Sequence, residues 1–240
     1  GSVGINRILK TMRILNGNVV IEQQGIYAIE NYILSRRLMY MQVYLHKTVL
    51  SADSLLKKIF LRVEFLLKQG VPVHMASPSL KFFLTQKPSA KRNISDEMLE
   101  YYLRMDDHDV FISIKSWLNS SDKILSDLSA RFLNRSLFRT SFIPKKSVPA
   151  GKDSIHKQTK KFLKKNGFPH DDTSATFFYD ADESYSEAYK YENESIWILG
   201  NNEKAIEFSK AADTKHIIAL TKPVVKPYVV HLKELQMPAS

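Results

Sequence analysis

Residues Tyr27 to Asp53, YAIENYILSRRLMYMQVYLHKTVLSAD, carry two helical faces at once, and one of them needs a core to pack against. Ile29, Ile33, Leu34, Leu38, Met41 and Leu45 recur at three- and four-residue spacing, which predicts one long core-facing helix over most of the run. Arg36, Arg37, Tyr40, Tyr44 and Lys47 recur at offsets that group them on another face. Cations and phenols on one face can hold a phosphate and stack on, or hydrogen-bond, a sugar or base. The same pattern suits a half-buried helix whose long side chains reach out to water. Periodicity alone does not choose between these uses.

The flanking segments predict a helical block. A helix from Ile5 to Ile14 is expected to break at Asn16-Gly17-Asn18, a turn signal, before the strand-like Val19-Val20-Ile21. Ser51 or Asp53 can cap a following helix, whose Leu55, Leu56, Ile59, Phe60, Val63, Leu66 and Leu67 make a wide apolar face ending at Gly70. Pro72 and Pro78 punctuate a loop, SLKFFLTQ is a short helix, and KPSAKRN is a basic loop. Helices follow near 96–104, 109–118 and 122–134.

Beyond Ser136 the pattern changes. LFRTSFI is strand-like, PKKSVPAGK reads as a linker, 153–166 as a helix stopped by Gly167, and ATFFYD and SIWILG as strands. A helical stretch around 204–221 follows, although its HIIAL is also strand-like, and PYVVHL closes the chain as a last strand. The order β-α-β-β-α-β is that of a ferredoxin-like fold. The expected class is therefore α+β: an all-helical block over 1–136 and a ferredoxin-like domain over 137–240.

Composition narrows the chemistry. With no cysteine there is no disulfide framework, thiolate metal site or thiol nucleophile. No apolar run approaches the roughly 20 residues of a membrane span, and a cytoplasmic location is expected. A net charge of +10 suits polyanionic partners, nucleotides before nucleic acid. His156, Lys157, Lys160, Lys161, Lys164 and Lys165 form a basic helix face, read here as solvated, as is the acidic DADESYSEAYKYENE. Two His-Asp dipeptides, His108-Asp109 and His170-Asp171, imitate half of a metal site. Each reads better as local capping or a turn, since a metal needs several converging ligands.

The strings RRLMYMQVYLHKTVLSAD, YYLRMDDHDVFISIKSWL and ILSDLSARFLNRSLFR resemble the segment that follows the catalytic core in HD-domain phosphohydrolases related to deoxynucleotide triphosphohydrolases. The resemblance is close over roughly the first half of the chain and loose beyond it. Intact relatives use a divalent metal, held by His, His-Asp and Asp ligands upstream of the matching segment, to activate water against a nucleoside triphosphate. It implies that Gly1-Ser2 is an expression remnant and that the chain is a C-terminal piece, or a shortened relative, without its own metal centre or catalytic residues. By the same resemblance Arg36 contacts substrate phosphates and Tyr44 packs on the deoxyribose. Arg7, His46 and Lys47 match positions that grip an effector nucleotide between subunits. Departures at Glu22 and Gln24, where the vertebrate SAM- and HD-domain member of the family is basic, weaken the effector reading, and Leu45 replaces a polar substrate contact. A dNTP in the intact protein and a homo-oligomer, or the missing HD half, are the implied partners. The alternative is a non-catalytic oligomerisation or ligand-sensing module.

Overall fold

A computed structural model describes residues 4–86, 94–186, 189, 195–200, 202–212 and 223–236. Two compact units emerge, Gly1–Val49 with Glu183–Pro227, and Leu50–Asp182 with Tyr228–Ser240.

In the first unit, α1 (Ile5–Thr11) runs directly into β1 (Met12–Leu15), which pairs antiparallel with β2 (Asn18–Glu22). Asn16 and Gly17 both take positive φ, 50° and 79°, the backbone that a two-residue hairpin demands. The helix expected to reach Ile14 therefore stops at Thr11. Met12 and Ile14 instead alternate with Arg13 and sit opposite Ile21 and Val19. Strand β2 continues parallel to β5 (Trp197–Leu199), which pairs antiparallel with β6 (Ala205–Glu207), giving the order β1-β2-β5-β6. Helix α2 (Ile26–Met39) lays Ile26, Ile29 and Ile33 on a core with Ile21, Ile198, Tyr189 and Phe208. Its entry requires glycine, because a Cβ on Gly25 would stand 2.4 Å from Thr11 Oγ1 and 2.6 Å from Ile21 Cγ2. Leu34 and Leu38, expected on the core face, are exposed.

The long helix expected from Tyr27 to Asp53 is interrupted. A π-helical turn occupies Tyr40–Tyr44, closed by Leu45 N–H donating to Tyr40 O at 2.8 Å, and α3 (Lys47–Lys68) begins afresh. Its cap is earlier than Ser51 or Asp53: His46 Nδ1 accepts from Thr48 N–H at 3.2 Å.

Most of α3 belongs to the second unit, where Leu55, Ile59, Val63 and Leu66 are buried and Gly70 ends the helix at φ 72°. Helices α4 (Pro78–Gln86), α5 (Asp96–Arg104), α6 (Asp107–Trp117) and α7 (Lys123–Leu133) follow within a residue or two of expectation. Then come β3 (Arg139–Phe142), α8 (Val148–Lys165), α9 (Asp172–Ala175) and β4 (Tyr179–Ser186). Helix α8 starts inside the expected linker, since Pro149 in its first turn gives up an N–H that would be unpaired anyway. A short helix α10 (Phe208–Ala211) and β7 (Val224–His231) complete the chain, and β3, β7 and β4 form a sheet in that order.

The class is mixed α+β, but the ferredoxin-like expectation is corrected. The strands beyond residue 136 divide between two sheets, with β5 and β6 extending the N-terminal hairpin. The expected helix over 204–221 contains β6 and α10, while its remainder, including HIIAL, lies outside the described residues, as does KPSAKRN. The division expected at Ser136 is likewise not the one the packing draws, because β2 needs β5 on its free edge. The start of the acidic connector is strand: β4 runs through DESYS to Ser186.

Strand β7 ends on His231, fully buried, with Nδ1–H donating to Leu232 O at 2.7 Å and Nε2 without a partner among the described residues. Burial pushes the imidazole's pKa down, opposed by the Leu232 bond and helped by Arg139. The unfolded chain therefore binds a proton near pH 6.5 that the folded chain refuses, so stability is full above that pH and falls as pH drops below it. Urea unfolding between pH 7.5 and pH 5.5 should show that loss, and His231→Leu should flatten the profile. An unchanged slope would remove His231 from the account.

Candidate functional site

The last turns of α2 and the π-turn build one continuous face. Arg36 and Tyr40 are half-buried and Tyr44 is 52% exposed. The Arg36 guanidinium carbon lies 5.7 Å from the Tyr40 ring centroid. The Tyr40 and Tyr44 rings follow at 5.2 Å between centroids, tilted by 48°. Cation, ring and ring thus form a ladder along one edge, the arrangement in which a guanidinium is steadied by a π-face. The structure links the two expected substrate residues, Arg36 and Tyr44, through Tyr40, which packs against each.

The three expected effector residues are placed differently. Arg7 is engaged: its Nε and Nη2 donate to Gln24 O at 3.4 and 3.3 Å, and Nη2 donates to Gln24 Oε1 at 3.2 Å. Gln24 Nε2 in turn donates to Glu22 Oε2 at 2.5 Å, and Glu22 Oε1 pairs with Arg13 Nη2 at 2.8 Å. Glu22, Gln23 and Gln24, with Leu199 and Gly200, line a cavity of about 460 Å³ that carries a carboxylate where a triphosphate site needs cations. His46 is spent on capping α3, and Lys47 is the first residue of that helix.

Both His-Asp dipeptides are capping devices. Asp106 accepts from His108 N–H at 2.8 Å while Asp109 accepts from Asp106 N–H at 2.8 Å, a reciprocal box at the start of α6. Asp109 also accepts from Ser77 Oγ at 2.6 Å. Asp171 caps α9 through Ser174 N–H and Oγ at 2.9 and 2.6 Å, bonds that hold its carboxyl below the usual range. Among the described residues no group of three or more His, Cys, Asp or Glu side chains is placed to hold a metal.

The second unit holds polar centres that sequence reasoning missed. Arg62 donates through Nε and Nη2 to both oxygens of Asp122, at 3.0 and 2.7 Å, with its guanidinium carbon 4.9 Å from the centroids of both Phe65 and Phe177. Its only sequence signal is a cation three residues from Phe65 on a largely apolar face. Lys58, 8% exposed, reaches Asp180 at 3.6 Å, with Lys57 at 3.5 Å on the other oxygen. Burial pushes the Lys58 ammonium's pKa down against the pull of Asp180. On the basic face of α8, His156 is not simply solvated. Its Nε2–H donates to Asp172 Oδ1 at 2.9 Å and its Nδ1 lies 3.0 Å from the Tyr179 hydroxyl, while Lys160 donates to Asp172 at 2.7 Å.

Residues 3–68, which include the whole ladder, match the family described as the HD associated region. Over those residues the chain is similar to HD-associated regions, and a phosphohydrolase is among the structural neighbours of its α+β fold. That neighbour, a phosphohydrolase from Bacteroides thetaiotaomicron, superposes with a TM-score of 0.83 at 33% identity over 96% of this chain and 56% of its own. The uncharacterized protein YwfO of Bacillus subtilis is 34% identical over 153 residues, 62% of this chain and 33% of that protein. A hypothetical protein from Aquifex aeolicus shares the fold at a TM-score of 0.55 and 20% identity, over 98% of this chain and 50% of its own. The chain thus spans about a third of the curated relative and little more than half of the phosphohydrolase. Among the described residues no helix is long and apolar enough to cross a membrane.

Proposed function

We propose that this chain is the substrate-positioning part of an HD-type metal-dependent phosphohydrolase acting on deoxynucleoside triphosphates. The observation that carries the reading is the Arg36–Tyr40–Tyr44 ladder inside the HD-associated segment. Arg36 takes phosphate oxygens through charge-assisted hydrogen bonds, and Tyr44 packs on the sugar. Held in this way, the phosphates are oriented toward a reacting centre, and orientation supplies a large share of a barrier reduction. The divalent metal, which when bound lowers the pKa of a water and neutralises phosphate charge, belongs to residues outside this chain.

An effector nucleotide at Arg7, His46 and Lys47 is the less favoured part of the reading, because Arg7 already serves Gln24 and Glu22 stands beside it. Self-association, or docking of an HD-bearing partner, is assigned to the exposed apolar residues of the first unit, Ile5, Leu9, Ile14 and Val19 among them.

The chain alone, incubated with Mn²⁺ and each dNTP, is expected to bind nucleotide yet to release no nucleoside or tripolyphosphate above a boiled control. Turnover would contradict the placement of the metal chemistry elsewhere. Absence of binding would contradict the positioning role.

A further inference from the structure

The π-turn brings Tyr44 back toward the side of the helix that carries Arg36. On a regular α-helix each residue advances about 100°, so Arg36, Tyr40 and Tyr44 would drift by about 40° per step and about 80° in all. A π-turn closed by an i→i+5 bond has about 4.4 residues per turn, which carries four residues back by about 33°. The step from Arg36 to Tyr40 lies on α2, whose end is tied by Tyr40 N–H to Arg36 O and Arg37 O. The step from Tyr40 to Tyr44 lies on the π-turn, closed by Leu45 N–H on Tyr40 O at 2.8 Å. The two drifts nearly cancel, leaving Arg36 and Tyr44 within about 10° of each other around the axis. The ring spacing of 5.2 Å and the cation-to-ring distance of 5.7 Å are the packed result.

We propose that Tyr40 is a positioning residue for a phosphorylated nucleoside, a role that rests on the reading of Arg36 and Tyr44 given above. Its ring lies 5.7 Å from the Arg36 guanidinium carbon and 5.2 Å from the Tyr44 ring centroid, so it restrains both groups before a ligand arrives. The ladder also sets polarity: the phosphates lie toward Arg36 on α2, and the sugar lies toward Tyr44 on the π-turn. A ligand of this class is read as a rigid unit, with its charged end and its sugar spaced along the helix axis.

The test is calorimetric titration of the chain with dATP and, separately, with inorganic tripolyphosphate, using Tyr40→Phe, Tyr40→Leu, Tyr40→Ala and Arg36→Gln. Tyr40→Phe keeps the ring and should bind both within about twofold of the parent. Tyr40→Leu and Tyr40→Ala should weaken both probes roughly five- to tenfold, tripolyphosphate included, because loss of the ring removes one restraint on the guanidinium. Their thermal unfolding midpoints should stay near the parent's, and Tyr40→Leu keeps more apolar bulk and a high helix propensity should the alanine variant fail to fold. Parent-like tripolyphosphate binding by Tyr40→Leu, while Arg36→Gln loses it, would overturn the role of Tyr40 and leave the reading of Arg36 standing. Parent-like binding of both probes by Arg36→Gln would sink the reading itself, and the role of Tyr40 with it.

Discussion

Asp122→Ala is expected to destabilise the protein more than any other single change considered, by about 4 kcal/mol in urea unfolding. Two losses combine. Asp122 accepts from Leu125 N–H at 2.8 Å as the cap of α7, and loss of such a cap costs about 1 kcal/mol. The larger loss is the counter-charge of Arg62, whose side chain is 7% exposed and held between Phe65 and Phe177. Removing one partner of a buried pair leaves an uncompensated charge and costs about 3–5 kcal/mol. The double variant Arg62→Met with Asp122→Ser restores a capping hydroxyl and fills the space with an apolar side chain. It should recover to within about 1.5 kcal/mol of the parent, since buried pairs are often replaceable by well-packed apolar groups. A double variant no more stable than Asp122→Ala would mean that the pair's value lies in packing rather than in charge.

That pair marks the boundary of what sequence could reveal. Stops and turns were legible because they have local chemical causes: Asn16-Gly17 supplies two left-handed residues, and Gly70 and Gly167 supply one each. The stripe Leu55, Ile59, Val63 and Leu66 was legible because burial follows helical period. Arg62 and Asp122 lie 60 residues apart, and neither segment names the other. Pairing of Ile21 with Ile198 is of the same kind, and missing it produced the ferredoxin-like expectation. Helix α1 was overextended because Met12 and Ile14 fit a helical stripe as well as a strand until the hairpin decides.

The candidate site was legible in membership and illegible in geometry. Arg36, Tyr40 and Tyr44 follow at four-residue offsets, so the pattern groups them although a regular α-helix would spread Arg36 and Tyr44 by about 80°. The π-turn leaves no periodic trace, because one extra residue absorbed in a turn preserves the three- and four-residue offsets on either side. Leu34 and Leu38 were misjudged for a related reason: the apolar stripe of α2 is wider than the core it meets.

The second large effect is expected at Arg36. Two parallel N–H bonds from a guanidinium to phosphate oxygens have no equivalent in a lysine ammonium. Arg36→Lys keeps the charge and should still lose about 1.5–3 kcal/mol of dNTP binding, roughly ten- to a hundredfold in Kd. Arg37 is the internal control, equally basic and turned about 100° around the helix. Titration of Arg36→Lys and Arg37→Lys side by side with a dNTP tests the placement of the substrate phosphates at Arg36. Kd should rise at least tenfold for Arg36→Lys and stay within about twofold of the parent for Arg37→Lys, as surface changes usually stay within about 0.5 kcal/mol. Equal losses at both positions, or none at either, would contradict it.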